Sequence, residues 1–134
     1  MAATTTITTV SDGQKSKIIN VVILSADAAE LTDSIVYDYS ADTVIPSGRS
    51  ASGVKIKQVW FENPTAAGQV FIEFDGTTDV MAVGCGISDS HYSDYRYFGG
   101  LRNTATAPTG DITVTTLGLA VADQISLTLE ISKS

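Results

Sequence analysis

The sequence predicts an all-β fold, a single-domain antiparallel β-sandwich with little or no helix. The chain has 134 residues, of which 43% are apolar, so it can build the core of one domain. Apolar and polar residues alternate with period two in several short segments, and turn-forming residues separate these segments. Roughly eight short strands in this arrangement are typical of a sandwich, with the jelly roll as one candidate topology.

The first ten residues, MAATTTITTV, combine high β-propensity with an absence of charged side chains. Two interpretations follow for them. Residues 1–10 form an extended N-terminal arm that adds to the sheet of another subunit, through Thr4, Thr5, Thr6 and Ile7. Alternatively they are the first strand of their own sandwich, or a frayed end. Residues 11–134 are predicted to form the sandwich domain.

The next segments alternate between strands and loops. Residues 17–24, KIINVVIL, are apolar on both faces, which predicts a central strand or one covered by a neighbouring subunit. Residues 27–30 are compatible with one helical turn capped by Asp27, or equally with a loop. A strand is predicted over 34–39 and a surface loop over 42–53, which is rich in small residues.

The remaining strands follow from alternation. Segments 54–62 and 70–75 are predicted to form a hairpin around residues 63–68, which contain Pro64 and Gly68. Further strands are predicted over 80–83 and 111–119, the latter with a bulge near Gly118. Residues 125–131 show the clearest alternation, with Ile or Leu at every second position.

Charge and cysteine content exclude several functions. Fifteen acidic and eight basic side chains give a net charge of −7, which disfavours direct binding to nucleic acid. The single cysteine, Cys85, rules out an intramolecular disulfide and fits folding in a reducing compartment. No apolar run approaches the roughly 20 residues that span a bilayer, and the N-terminus lacks the features of a secretory signal. We therefore expect no membrane partner.

Chemistry-bearing residues are few. Cys85 and the sole histidine, His91, lie six positions apart, and Asp89 and Asp94 would have to complete a metal site without any recurring spacing. The chain also lacks a phosphate-binding loop, a dinucleotide fingerprint and a nucleophile elbow. We therefore expect no catalytic residue, no metal and no cofactor, and hence a protein that is not an enzyme.

Residues 85–101, CGISDSHYSDYRYFGGL, gather most of the tyrosines among small residues. Aromatic side chains with polar tips are enriched where proteins meet, and arginine supplies planar donors there. The predicted contact residues are His91, Tyr92, Tyr95, Arg96, Tyr97 and Phe98. The alternative is that the tyrosines are partly core residues, because the spacing of Tyr95 and Tyr97 is also a strand pattern.

The C-terminal third contains three motifs in order. FGGLRNT (98–104) is followed by TGDITVTT (109–116), and an alternating strand then ends in ISK (131–133). This order resembles the C-terminal part of small virion proteins of tailed bacteriophages, including those of marine podoviruses. These motifs are structural, so the resemblance transfers no functional residues.

The resemblance implies a role in the phage particle. The expected role is that of a capsid decoration (cement) protein, which binds the outer surface of the expanded head and stabilises contacts between capsid subunits. Its partners would be the major capsid protein and copies of itself, as a dimer or a trimer. It would be made in the cytoplasm of the host bacterium and reside on the virion. The alternative is a carbohydrate- or receptor-binding module of the tail or a fibre.

Overall fold

The computed structural model describes residues 3–13, 15–42 and 51–133, apart from the side chain of residue 52. The strands are β1 Thr4–Asp12, β2 Ser16–Ser25, β3 Ser34–Tyr37, β4 Lys55–Glu62, β5 Gln69–Phe74, β6 Val80–Cys85, β7 Ser90–Asp94, β8 Ile112–Leu117 and β9 Asp123–Ser132. Within the described ranges, the helical elements are two 3₁₀ turns, Ala51–Gly53 and Arg96–Phe98. The predicted all-β class is confirmed.

The strands form two antiparallel sheets. Sheet A has the order β1-β2-β9-β4-β7, and sheet B has the order β3-β8-β5-β6. The eight strands from β2 to β9 alternate between the two sheets, except that β5 and β6 are neighbours in sheet B. This is the strand arrangement of a jelly roll, so the candidate topology is confirmed together with the sandwich.

The core lies between the two sheets and is built by the alternation seen in the sequence. Seven of the eight strands β2–β9, all except β7, contribute aliphatic or aromatic side chains to it. Buried members include Ile19, Val21, Ile23, Ile56, Val59, Val70, Ile72, Phe74, Ile112, Val114, Ile125, Leu127, Leu129 and Ile131. Because every second residue points inward, the intervening polar residues form the outer faces of the sheets.

Strand β1 pairs with β2 and forms one edge of sheet A. Its residues are exposed on both faces, except for the half-buried Thr5. Ile7 pairs with the buried Val21 and yet remains 42% exposed, because the four-stranded sheet B does not cover this strand. The described part of segment 1–10 is thus a first strand in its own sheet, which was one of the two alternatives; residues 1 and 2 lie outside the described ranges.

The predicted hairpin between residues 54–62 and 70–75 is wrong. Strand β4 pairs with β7 and β9 in sheet A, whereas β5 pairs with β6 and β8 in sheet B. The connection therefore arches from one sheet to the other. The buried Asn63 holds this arch, because its side-chain amide donates to the carbonyl oxygens of Gly68 at 2.7 Å and Gly86 at 2.8 Å.

Three smaller expectations are resolved. Residues 27–30 are a loop rather than a helical turn, and Glu30 Oε1 accepts a hydrogen bond from the backbone of Leu119. Strand β8 ends at Leu117 without a register shift against β5, so the bulge predicted near Gly118 is not formed there. Most of the loop predicted over 42–53 lies outside the described residues, at positions 43–50.

Candidate interaction surface

The predicted contact segment is divided between β7 and the 3₁₀ turn Arg96–Phe98, which we call the aromatic turn. His91 and Tyr92 lie on β7 and point to opposite faces of sheet A, since successive strand residues alternate. Tyr95 joins the two pieces and packs against the core, with its ring 6.1 Å from that of Phe98. Of the two residues whose spacing suggested a strand, Tyr95 packs against the core, whereas Tyr97 is exposed.

Tyr92 stacks on Trp60 at the outer face of sheet A. The two residues are direct partners across β4 and β7, and their ring centroids lie 5.1 Å apart with an angle of 26° between the planes. Trp60 is 38% exposed and Tyr92 is 47% exposed. Cross-strand aromatic pairs of this kind stabilise the pairing of their strands and leave part of each ring in contact with solvent.

A chain of hydrogen bonds fixes the tyrosine side of this stack. The Tyr92 hydroxyl donates to Gln58 Oε1, and Gln58 Nε2 donates to Glu130 Oε1 at 2.7 Å. Gln58 is buried, so its orientation is determined by these two contacts. Partial desolvation raises the pKa of the Tyr92 hydroxyl, and the nearby Asp94 carboxylate acts in the same direction. The hydroxyl therefore remains a neutral donor at neutral pH.

The end of β7 carries a forked ion pair. Arg96 Nε and Nη2 donate to the two carboxylate oxygens of Asp94 at 3.0 and 2.9 Å, and the Arg96 backbone N–H donates to the same carboxylate. These hydrogen bonds lower the pKa of Asp94 to about 2, and the carboxylate in turn raises the pKa of the guanidinium. The ion pair thus fixes the backbone conformation between the end of β7 and the first residue of the aromatic turn.

The aromatic turn presents two rings to solvent. Tyr97 is 98% exposed and Phe98 is 68% exposed. The backbone beneath them is closed by hydrogen bonds from Gly99 N to Arg96 O at 3.1 Å and from Gly100 N to Tyr95 O at 2.9 Å. Gly99 ends the turn with φ = 84°, a left-handed conformation that glycine adopts without strain. The exposed rings thus stand on an ordered backbone.

The two groups of predicted contact residues lie far apart in the sheet. Thr4, Thr5, Thr6 and Ile7 are on β1, at one edge of sheet A, while His91 and Tyr92 are on β7, at the opposite edge. Three strands separate them. They cannot form one compact contact site within a single copy of the chain.

His91 lies beside Cys85 and Asp89 rather than in the exposed aromatic surface. Its Nδ1 is 3.0 Å from Asp89 Oδ2, and its ring packs 4.9 Å from that of Phe61. Cys85 is buried, and its thiol donates to the Asp89 carbonyl oxygen at 3.4 Å. Burial raises the pKa of this thiol, and the charge of Asp89 raises it further. Asp94, the fourth residue considered from the sequence, instead pairs with Arg96.

Sequence reasoning did not select Trp60, Gln58 or Glu130 as surface partners of Tyr92. Their positions follow from register, since Gln58 lies between Asp94 and Glu130 and Trp60 lies between Tyr92 and Thr128. Alternation within 58–62 was the available signal, because it places Trp60 and the neighbouring Phe61 on opposite faces. Only the strand order could show which side chains adjoin Trp60.

An open pocket of about 430 Å³ lies further along the same outer face. It is lined by Glu62, Pro64, Gln124 and Ser126. Glu62 and Ser126 are cross-strand partners, one outward-facing pair beyond Trp60 and Thr128. The aromatic stack and the pocket therefore lie side by side on the outer face of sheet A.

Comparison with known proteins assigns no family. No protein-family model matches this sequence, and no curated protein matches it. Among solved structures, the chain is similar to a subunit described under "Bacillus endospore appendages form a novel family of disulfide-linked pili", with a TM-score of 0.49, 16% identity, and coverage of 98% of this chain and 90% of that one.

Two further likenesses are weaker. Peruvianin-I, a cysteine peptidase from Thevetia peruviana latex, has a TM-score of 0.41 and 10% identity, over 97% of this chain and 63% of that one. A cupin superfamily protein from Desulfitobacterium hafniense has a TM-score of 0.35 and 10% identity, over 99% and 80%. These likenesses give no information about function. No helix in the described residues is long and apolar enough to cross a membrane.

Proposed function

We propose that this chain is a non-catalytic decoration (cement) protein of a phage head. It binds the outer surface of the expanded shell through the major capsid protein and stabilises contacts between neighbouring capsid subunits. The resemblance of its C-terminal motifs to small phage virion proteins suggests this role. A protein that binds only the expanded shell stabilises that state by mass action, so the role needs no catalytic group.

The observation that carries the proposal is the pair of solvent-facing rings on the aromatic turn. An exposed aromatic pair on an ordered backbone loses little conformational entropy when a partner covers it. Burying one large apolar side chain contributes about 1.5–3 kcal/mol, so Tyr97 and Phe98 together offer a substantial part of a contact with the shell. Repetition over many symmetric positions multiplies this effect on the particle.

Strand β1 offers a second contact, with a capsid subunit or another copy of the chain. Its outer edge pairs with no strand of the described residues, and Thr4 to Val10 carry no charged side chain that would discourage pairing. On the neighbouring β2, Val22 is half-buried and Leu24 is 40% exposed on the outer face. Addition of a strand here would support a homo-oligomer, as a dimer or a trimer.

Binding to isolated heads tests the first contact. Heads assembled from the major capsid protein encoded with this chain are prepared in unexpanded and expanded forms, and bound chain is measured by co-sedimentation. The double variant Tyr97→Ser, Phe98→Ser is expected to bind expanded heads at least about tenfold more weakly, since losing 1.4 kcal/mol is already tenfold. Met81→Ser, which alters a 60% exposed residue on sheet B, is the matched control. Unchanged binding by the double variant would exclude the aromatic turn from the contact.

Removal of residues 1–10 tests the second contact. The eight strands β2–β9 form a complete sandwich without this segment, and Asp12 is retained, so the truncated chain is expected to fold. Sedimentation and head binding then report separately on self-association and on capsid contact. If both are undiminished while thermal unfolding shows a folded protein, β1 has no role in assembly.

Copy number tests the proposal as a whole. Quantitative mass spectrometry of purified virions gives the ratio of this chain to the major capsid protein. A decoration protein is expected in a ratio fixed by the symmetric positions of the shell. A few copies per particle would instead indicate the tail, and absence from virions would refute a virion role.

A second candidate function is carbohydrate or receptor binding on the tail or a fibre. The stacked Trp60 and Tyr92 favour it, because part of each ring is exposed beside polar side chains that can hydrogen-bond hydroxyl groups. Screening against host cell-surface glycans tests it, with Trp60→Ala expected to abolish any binding detected. The Tyr97→Ser, Phe98→Ser variant is the matched control, since it alters exposed aromatic residues outside the stack.

A further inference from the structure

The end of the sandwich brings together three side chains of metal-ligand type. Cys85 is the last residue of β6, Asp89 lies in the following turn, and His91 is the second residue of β7. One ligand atom from each residue lies within 4.8 Å of those of the other two. The sequence spacing did not correspond to a recurring motif, because the turn between the two sheets creates this convergence.

The backbone of this turn is fixed by the neighbouring arch of residues 63–68. Asn63 holds the Gly86 carbonyl through its side chain and donates its backbone N–H to the Asp89 carbonyl at 3.0 Å. The Ser88 backbone N–H and hydroxyl both donate to the Thr65 carbonyl, at 3.1 and 2.8 Å. The groups that carry the three side chains are thus positioned in advance, which lowers the entropic cost of binding an ion.

The geometry is close to that of a tetrahedral centre. With metal–ligand bonds of about 2.0–2.3 Å, neighbouring ligand atoms in such a centre lie roughly 3.3–3.8 Å apart. The distance of 3.0 Å between His91 Nδ1 and Asp89 Oδ2 is slightly shorter than this spacing, and no two of the three ligand atoms lie more than 4.8 Å apart. Small side-chain rotations therefore suffice. The Phe61 ring lies against the imidazole and restricts its orientation.

We propose that Cys85 Sγ, one Asp89 carboxylate oxygen and a His91 ring nitrogen bind a divalent first-row transition-metal ion of the zinc type. A thiolate and an imidazole favour such ions over magnesium or calcium, which require oxygen ligands. One thiolate and one carboxylate balance the charge of the ion. Asp89 is 50% exposed and His91 31% exposed, so the ion can enter from solvent and a water molecule can occupy the fourth position.

Binding would connect the two sheets, because the ion would join the end of β6 in sheet B to the start of β7 in sheet A. The bound form would then resist opening of this end of the sandwich. This proposal does not rest on the proposed capsid role, since it concerns residues that lie outside the aromatic turn and β1.

Titration of the full-length, reduced protein with Co²⁺ tests the site. A non-thiol reductant keeps Cys85 free, and Co²⁺ reports its own coordination in the absorption spectrum. We expect the visible bands of four-coordinate cobalt together with a near-ultraviolet thiolate-to-metal band, both removed by one equivalent of Zn²⁺. The reaction of Cys85 with a thiol reagent in the presence of Zn²⁺ is expected to slow in parallel.

Three variants identify the ligands. Asp89→Asn and His91→Ala alter partly exposed side chains and are expected to leave the fold intact, while Cys85→Ser should abolish the thiolate band. Replacing a residue that hydrogen-bonds to a metal ligand already lowers metal affinity by about 10–100-fold. Loss of a ligand itself should therefore weaken binding more than tenfold. Glu62→Gln, at an exposed carboxylate on β4, is the matched control and should bind as the unaltered chain does.

Two results would overturn the proposal. One is the absence of any thiolate-to-metal band at Co²⁺ concentrations well above that of the protein. The other is cobalt binding that persists in folded Asp89→Asn and His91→Ala variants, because the ion would then be held elsewhere.

Discussion

Replacement of Lys133 by methionine should strongly destabilise the fold. Lys133 follows the last strand and is fully buried, and its Nζ contacts Asp12 and lies 3.0 Å from Asp42 Oδ2. Asp42 is only 2% exposed and also accepts a hydrogen bond from the Tyr37 hydroxyl at 2.7 Å. The buried ammonium group thus joins the end of β1 to the chain segment after β3.

The magnitude follows from the unequal burial of the two carboxylates. Removing one partner of a buried ion pair costs about 3–5 kcal/mol, because hydration cannot replace the lost partner of the charge that stays buried. Asp42 falls under this rule, whereas Asp12 is 29% exposed and can recover hydration. We therefore expect Lys133→Met to lower the free energy of unfolding by about 3–5 kcal/mol and Asp12→Asn to lower it by about 1 kcal/mol. The larger loss is a considerable fraction of the roughly 5–15 kcal/mol that stabilises a domain.

Urea unfolding followed by Trp60 fluorescence and by circular dichroism measures these changes. The single tryptophan reports on unfolding because its stacking against Tyr92 is lost. Lys15→Met is the matched control; Lys15 is exposed, so its replacement should change stability by less than about 0.5 kcal/mol. A loss below about 1 kcal/mol for Lys133→Met, with an unchanged dependence on urea, would refute the reasoning.

Two further predictions concern local geometry and charge. Gly110→Ala should destabilise the protein by about 1–3 kcal/mol in urea unfolding. Gly110 has φ = 84°, and an added Cβ would lie 2.5 Å from the Tyr39 ring. Gly86→Ala is the control, because a Cβ at that position meets no atom within 4 Å. In an NMR titration, Asp94 should show a pKa of about 2, which Arg96→Gln should raise toward 3.8. Because folding lowers this pKa, any stability that the pair contributes is present above the unfolded pKa and is lost as the pH falls toward about 2.

Much of the fold could be predicted because alternation is a local property. The buried Ile125, Leu127, Leu129 and Ile131 follow the predicted strand position by position. The error at residues 63–68 arose because a segment with Asn, Pro and Gly can reverse the chain within one sheet or carry it to the other. A hairpin within one sheet and an arch between the sheets both point the same side chains toward the core. The alternation of apolar and polar residues therefore cannot distinguish them. Buried polar contacts of Asn63 decide between them, and these exist only after folding.

The candidate sites could be predicted less well, because they are products of strand register. Tyr92 meets Trp60 only because β7 pairs with β4 at this register, and the same pairing places His91 opposite Phe61. A slip of β7 by one residue would exchange the faces of His91 and Tyr92. It would separate the aromatic stack and withdraw the imidazole from Cys85 at the same time. The Trp60–Tyr92 stack and the cluster of His91 with Cys85 thus both depend on the register of β7 against β4. This register cannot be predicted from the sequence of either strand alone.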